Sequence, residues 1–126
     1  MKIYKISDQE HNLVVYHGSE DKWKGFDNEK QLSGYYRGFY VTTDENIATQ
    51  FGGNVNTFYA KSLNLYTLNN DQDANQLKQN ARKEGYYVTE GSGYPESKYL
   101  EENGYDGIKR GKEIILFNPE QVLTNV

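Results

Sequence analysis

Cysteine is absent from all 126 residues. That removes disulfide cross-links, thiolate metal sites and a cysteine nucleophile. Histidine occurs only twice, so a zinc site would have to be completed by carboxylates, and no metal is expected. Long apolar runs are missing too. None approaches the roughly 20 residues that a membrane span needs, and the opening "MKIYKISDQE" lacks the apolar stretch of a signal peptide. Positive charge is in deficit: the net charge is -4 and the pI ≈ 5.2. General nucleic-acid binders draw affinity from Lys and Arg set against phosphates, so that class is disfavoured, with a local basic patch left open. Familiar catalytic signatures are lacking as well: no Walker loop, HExxH, GxSxG or EF-hand loop. "GSGYPES" has the first two glycines of a dinucleotide fingerprint but opens no long helix. What these absences leave is a soluble, cytoplasmic domain.

Aromatic residues are plentiful, at 14% with 12 tyrosines. They argue for a packed core despite a mean hydropathy of -0.92, because disordered chains are poor in aromatics. The length fits one domain over residues 1–126. "MKIYKI" alternates as a strand does, and "NLVVYH" is the continuous apolar run of a central strand. Residues 18–37 are polar and glycine-bearing, an excursion with Trp23 and Phe26 as anchors on the core. "GFYVT" at 38–42 is a short strand. "TTDENIATQF" then starts a helix, with Thr43 or Asp44 as N-cap and Ile47, Ala48 and Phe51 at helical spacing, ended by Gly52 and Gly53. "VNTFYAK" and "LNLYTLN" read as strands. Residues 71–84 form a polar amphipathic helix closed by Gly85. "EGSGYPES" is a loop, and "ESKYLEEN" a short helix closed by Gly104. "YDGIK", "KEIILFN" and "QVLTN" are the last strands, the final two separated by an Asn118-Pro119 turn. Many short strands with few helices make an α+β domain, and the helices are too sparse for a doubly wound sheet.

Three places carry chemistry-bearing residues in suggestive contexts. His17-Gly18 ends the strand "LVVY", Tyr40 lies inside "GFYVT", and Glu113 opens "EIILFN". Each has an ordinary structural reading on its own: a hydrogen-bonded core histidine, strand packing, an edge charge beside Lys112.

Together, "YHGS", "RGFYVTTDENIATQF" and "YLEENGYDGIKRGKEIILFNPEQV" resemble the ADP-ribosyltransferase fold in its His-Tyr-Glu branch. That branch includes diphtheria-toxin-like enzymes, poly(ADP-ribose) polymerases and small phage-borne transferases. The three pieces come in the family's order and span residues 13–122. The resemblance implies split antiparallel β-sheets with a few short helices, and NAD as co-substrate. It implies Glu113 as the carboxylate beside the nicotinamide ribose, where cleavage of the glycosidic bond builds positive charge. It implies His17 on the adenosine ribose, Gly18 offering its backbone to the carboxamide with no Cβ in the way, and Tyr40 and Phe51 flanking the nicotinamide. Ser19 and Thr42 are candidate polar contacts.

The sequence also departs from the family. Phe51 stands where the polymerases have a tyrosine, and Ala48 replaces a serine that holds the carboxamide. Tyr36-Arg37-Gly38 replaces Gly-x-Gly, and Arg37 is expected on an NAD phosphate, which guanidinium suits. Gly111 occupies the place of the second glutamate of arginine-modifying toxins, so an arginine acceptor is disfavoured. The resulting expectation is a mono-ADP-ribosyltransferase, of toxin or phage-effector type, acting on a macromolecular acceptor, protein before nucleic acid, with no membrane partner. An NAD glycohydrolase and a non-catalytic tyrosine-rich module that stacks on single strands are the alternatives. Tyr86, Tyr87 and Tyr94 offer a target-recognition surface, Tyr35-Tyr36 either the cleft or packing, and His11 a solvated loop. Oligomeric state is open.

Overall fold

The computed structural model describes residues 2–4, 13–26 and 34–125. Residues 5 and 6 of the expected first strand, His11 and the centre of the 18–37 excursion lie outside the described residues. The strands are β1 Lys2–Tyr4, β2 Leu13–Ser19, β3 Phe39–Thr42, β4 Asn54–Ala60, β5 Leu63–Thr67, β6 Gly107–Arg110, β7 Glu113–Leu116 and β8 Leu123–Asn125. The helices are α1 Glu45–Ala48, α2 Asp71–Lys83, α3 Tyr94–Glu102 and α4 Pro119–Val122, with a 3₁₀ turn at Thr49–Phe51. The class is α+β, as the sequence indicates.

The strands follow the order β1-β5-β6-β7-β3-β2-β4-β8. All neighbours pair antiparallel except β5 and β6, which run parallel. That exception departs from the expected antiparallel arrangement. Helices α2 and α3 intervene between these two strands, giving the chain the length a parallel crossover needs. The expected split is visible in the ladders. Strand β2 pairs with β4 from Leu13–Ala60 to Ser19–Asn54, and β3 pairs with β7 along all four of its residues. Between β2 and β3 there is a single pair, Tyr16 with Thr42. The sheet is therefore two ladders hinged at one point.

Period-two alternation sends side chains to both faces. Phe39, Val41, Ile114 and Leu116 join Val15, Phe58 and Leu65 in one core, against which Trp23 and Phe26 pack. The two anchors expected in the 18–37 excursion thus cover this face, with the Trp23 ring edge-on to Phe58 at 5.2 Å between centroids. Ile115, Ile108 and Phe117 turn to the opposite face and meet Leu77 of α2 and Leu100 of α3. Apolar residues on both faces of β7 explain why "IILF" reads as an unbroken apolar run.

The helices end as their residues dictate. Asn70 caps α2 by accepting the Asp73 backbone N–H at 2.9 Å, and Gly85 leaves it at φ 91°. Helix α3 begins at Tyr94, two residues before the expected start, since Pro95 is tolerated in a first turn whose N–H groups have no helical partner. Asn118-Pro119 opens the short α4 in the same way, so only the end of "QVLTN" is strand. Glu96, in the first turn of α3, is 0% exposed, and neither carboxylate oxygen has a hydrogen-bond partner among the described residues. Burial pushes its pKa up.

Candidate active site

Beyond the Tyr16–Thr42 pair, β2 and β3 splay apart, and His17 occupies the fork. Its ring stacks on Phe39 with centroids 4.1 Å apart and planes at 22°. Its Nδ1 lies 2.7 Å from the Tyr40 carbonyl oxygen. A carbonyl only accepts, so Nδ1 carries the hydrogen. The imidazole thus serves a backbone acceptor at the point where the β2–β3 ladder has ended. Burial lowers the His17 pKa, with the Tyr40 carbonyl opposing. The ring is neutral around pH 7, and Nε2 is left as a hydrogen-bond acceptor.

The helix after β3 packs directly on the end of β2. A Cβ on Gly18 would fall within the van der Waals envelope of the Ala48 carbonyl oxygen, and one on Gly52 would strike the Ser19 backbone. The expected reason for Gly18, an open approach for a ligand ring, is therefore replaced by a packing reason: α1 fills the Cβ direction. Asp44 caps α1, accepting the Asn46 N–H at 2.9 Å. Its second oxygen takes Lys112 Nζ at 3.0 Å, and that hydrogen bond, with the Asn46 N–H, holds the carboxyl below its usual pKa. The Thr43 N–H donates to the Lys112 carbonyl at 3.0 Å. These contacts tie α1 to the β6–β7 hairpin and leave Phe51 59% exposed at its end.

That hairpin presents Glu113. Gly111, at φ 58°, is the first central residue of a two-residue turn, the position where a type II′ turn requires glycine. The turn sets Arg110 opposite Glu113, and the register on the other side sets Glu113 opposite Thr42. Arg110 Nε and Nη2 both reach Glu113 Oε1, at 3.1 and 2.5 Å. The guanidinium also lies over the Tyr36 ring, 5.3 Å from its centroid. The Tyr40 hydroxyl donates to the Tyr36 carbonyl at 2.9 Å and accepts the Tyr36 N–H at 3.0 Å. Gly34 leaves room for the Tyr40 ring, which a Cβ there would strike. Burial raises the Tyr40 pKa, so the phenol stays protonated. Tyr36 is core, 3% exposed, while Tyr35 packs edge-on against it.

These elements enclose a cavity of ≈ 610 Å³ lined by His17, Gly18, Ser19, Tyr40, Thr42, Phe51 and Glu113, together with Lys22, Lys24 and Ile47. Seven of the expected site residues therefore meet in one place. Ser19 and Thr42, like His17, Tyr40 and Glu113, have local duties as well. The Ser19 hydroxyl donates to the Asp21 carbonyl at 2.6 Å, and Thr42 Oγ1 accepts the Asp44 N–H at 3.1 Å. Arg37 is not among them. Its N–H donates to Ser97 Oγ at 3.1 Å, which turns this stretch toward α3, and it lines a separate groove of ≈ 760 Å³ with Tyr86, Tyr87 and Tyr94. In that groove the Tyr86 hydroxyl donates to Glu102, and its pKa is pushed up to about 12, first by that hydrogen bond. Sequence reasoning missed Arg110, whose signal is the "RGKE" turn, and the two cavity lysines, for which the sequence offers no signal beyond their charge.

A model for ADP-ribosyltransferases in polyvalent proteins matches residues 8–124. The chain belongs to this ADP-ribosyltransferase family. No curated protein and no solved structure matches it. Membership implies ADP-ribosyltransferase activity with NAD as co-substrate. The cavity's volume falls in the ~300–1,000 Å³ range of ligand pockets. The cavity offers an exposed aromatic face in Phe51, an acceptor in His17 Nε2, carboxylates in Glu113, Glu20 and Asp21, and ammonium groups in Lys22 and Lys24. Among the described residues no three His, Cys, Asp or Glu side chains gather as a metal site, and no helix is long and apolar enough to cross a membrane.

Proposed function

We propose that the protein is a mono-ADP-ribosyltransferase of the His-Tyr-Glu kind, with His17, Tyr40 and Glu113 as its working residues, acting on a protein acceptor. The observation that carries this reading is the meeting of these three side chains with Phe51 in one cavity. Glu113 sets its carboxylate against the positive charge that develops on the nicotinamide ribose. With Oε1 engaged by Arg110, Oε2 is the oxygen for the ribose 2′-hydroxyl. His17 Nε2 accepts from the adenosine ribose. The Gly18 backbone meets the carboxamide, Tyr40 and Phe51 bracket the nicotinamide ring, and Ser19 and Thr42 supply polar contacts beside them. Lys22 and Lys24, rather than Arg37, neutralise the pyrophosphate.

In the transfer, the bond between the nicotinamide nitrogen and ribose C1′ breaks, and its electron pair leaves with the nicotinamide. An acceptor nucleophile forms the new bond to C1′ and gives its proton to solvent. A protein acceptor is favoured over nucleic acid because the chain is acidic, with net charge -4. A role as a toxin or phage-borne effector would suit so small and acidic a transferase.

Purified protein with labelled NAD, with and without a host lysate, tests the reading, with mass spectrometry of whatever becomes labelled. Nicotinamide release coupled to labelled protein is the expected result. Fast release with no labelled macromolecule would reassign the activity to an NAD glycohydrolase. Neither binding nor consumption of NAD would leave a non-catalytic module.

A further inference from the structure

We propose that Arg110 is a positioning residue that locks Glu113 and Tyr40 into one rigid unit. The proposal rests on the reading of Glu113 as the residue that meets the nicotinamide ribose. Arg110 spends two N–H groups on a single carboxylate oxygen, Nε at 3.1 Å and Nη2 at 2.5 Å, both to Glu113 Oε1. That geometry leaves Oε2 without a hydrogen-bond partner among the described residues and fixes the plane in which it is presented. The same guanidinium rests on the Tyr36 ring. The Tyr36 main chain in turn clasps the Tyr40 hydroxyl through both its N–H and its carbonyl. One side chain therefore connects the carboxylate on β7 to the tyrosine on β3 through a buried platform.

Three facts favour positioning over stability as the role of this pair. Both side chains are partly exposed, 39% for Arg110 and 31% for Glu113, and exposed ion pairs contribute little to folding. The two residues already face each other through the hairpin register, so the fold does not need the ion pair to close the turn. And a carboxylate that must meet a developing charge gains most from being held still, since a small misplacement of a reacting group costs far more in rate than in binding.

The test uses the full chain and nicotinamide release from NAD, measured as kcat and KM for wild type, Arg110→Ala and Arg110→Lys, with Tm alongside. For Arg110→Ala we expect kcat to fall by roughly tenfold or more, KM for NAD to stay within about threefold, and Tm to stay within ~2 °C. Arg110→Lys should remain near the alanine variant: it keeps the charge but cannot give two N–H groups to one oxygen while lying flat on a ring. A kcat equal to or above wild type in Arg110→Ala overturns the proposal, the latter by making Arg110 a competitor for Glu113. A rise in KM alone overturns it by making Arg110 a substrate contact, and full recovery in Arg110→Lys overturns it by making charge alone sufficient. Wild-type protein that binds NAD without consuming it would overturn the reading of Glu113 itself, a result seen before any variant is compared.

Discussion

Glu113 and Glu96 are the same side chain in opposite settings. Glu113 opens β7, is partly exposed, shares one oxygen with Arg110 and faces the cavity. Glu96 lies in the first turn of α3, enclosed by packing, with both oxygens unpartnered among the described residues. Burial raises the Glu96 pKa, so its neutral form is the one the fold accommodates. The contrast separates a carboxylate placed to meet a ligand from one that the packing merely encloses: the first is partnered and reachable, the second has its charge penalised by burial. Enzymes raise a carboxyl's pKa by burial to make an acid, but Glu96 lines neither cavity and can meet no substrate there.

The comparison breaks most visibly at Glu113. Glu113→Gln should lower NAD turnover by ~100-fold or more while leaving Tm and NAD binding near wild type, the loss expected when a group aimed at developing charge is removed. Retained turnover in steady-state assays would remove Glu113 from the chemistry. Gly18→Ala tests the scaffold around the reachable side: the new Cβ meets the Ala48 backbone and should cost about 1–3 kcal/mol in a denaturant titration. His17→Ala deletes the acceptor at Nε2 and leaves the Tyr40 carbonyl without its donor. KM for NAD should rise about tenfold, with a smaller change in kcat, the worth of roughly one hydrogen bond.

On the enclosed side, Glu96→Gln should leave turnover unchanged and raise stability by ~1 kcal/mol at pH 8. The sign follows from the raised pKa. Wild type keeps its full stability below the ordinary glutamate pKa and loses it as pH rises through the raised one, whereas glutamine does not titrate. The gap between the two proteins in urea should therefore widen from pH 4 to pH 8, and a gap that narrows would place Glu96 in a polar setting. Smallest of all is Arg37→Ala: because Arg37 lines the other groove, KM for NAD should not move, and a rise would return Arg37 to the phosphate role that the sequence suggests.

Much of this was legible in the chain, for local reasons. Asp44, Gly85 and Gly104 mark helix ends by cap chemistry and by φ, which depend on a few neighbouring residues. "EIILFN" and "LVVYH" declare central strands by composition. The parallel β5–β6 pair was not legible, because strand direction depends on which edge the chain returns to after α2 and α3. Nor was the placement of Arg37. It is two residues from the sheet and three from Tyr40, yet one hydrogen bond to Ser97, sixty positions away, turns this stretch to the other groove. The partnership of Arg110 with Glu113 could have been found, since a two-residue glycine turn forces residues 110 and 113 to face each other.

By itself the sequence determined the alternation of strands and helices, the absence of thiol chemistry, and the three segments whose order and residues match the family, because periodicity, caps and residue chemistry are properties of short stretches. Only the tertiary structure decided that β2 and β3 part after a single pair, that His17 closes the fork with its Nε2 left as acceptor, and that Glu113 is reachable while Glu96 is sealed. Those outcomes depend on pairings between strands far apart in the chain, and a side chain's burial, partner and charge state are set by what the fold brings against it.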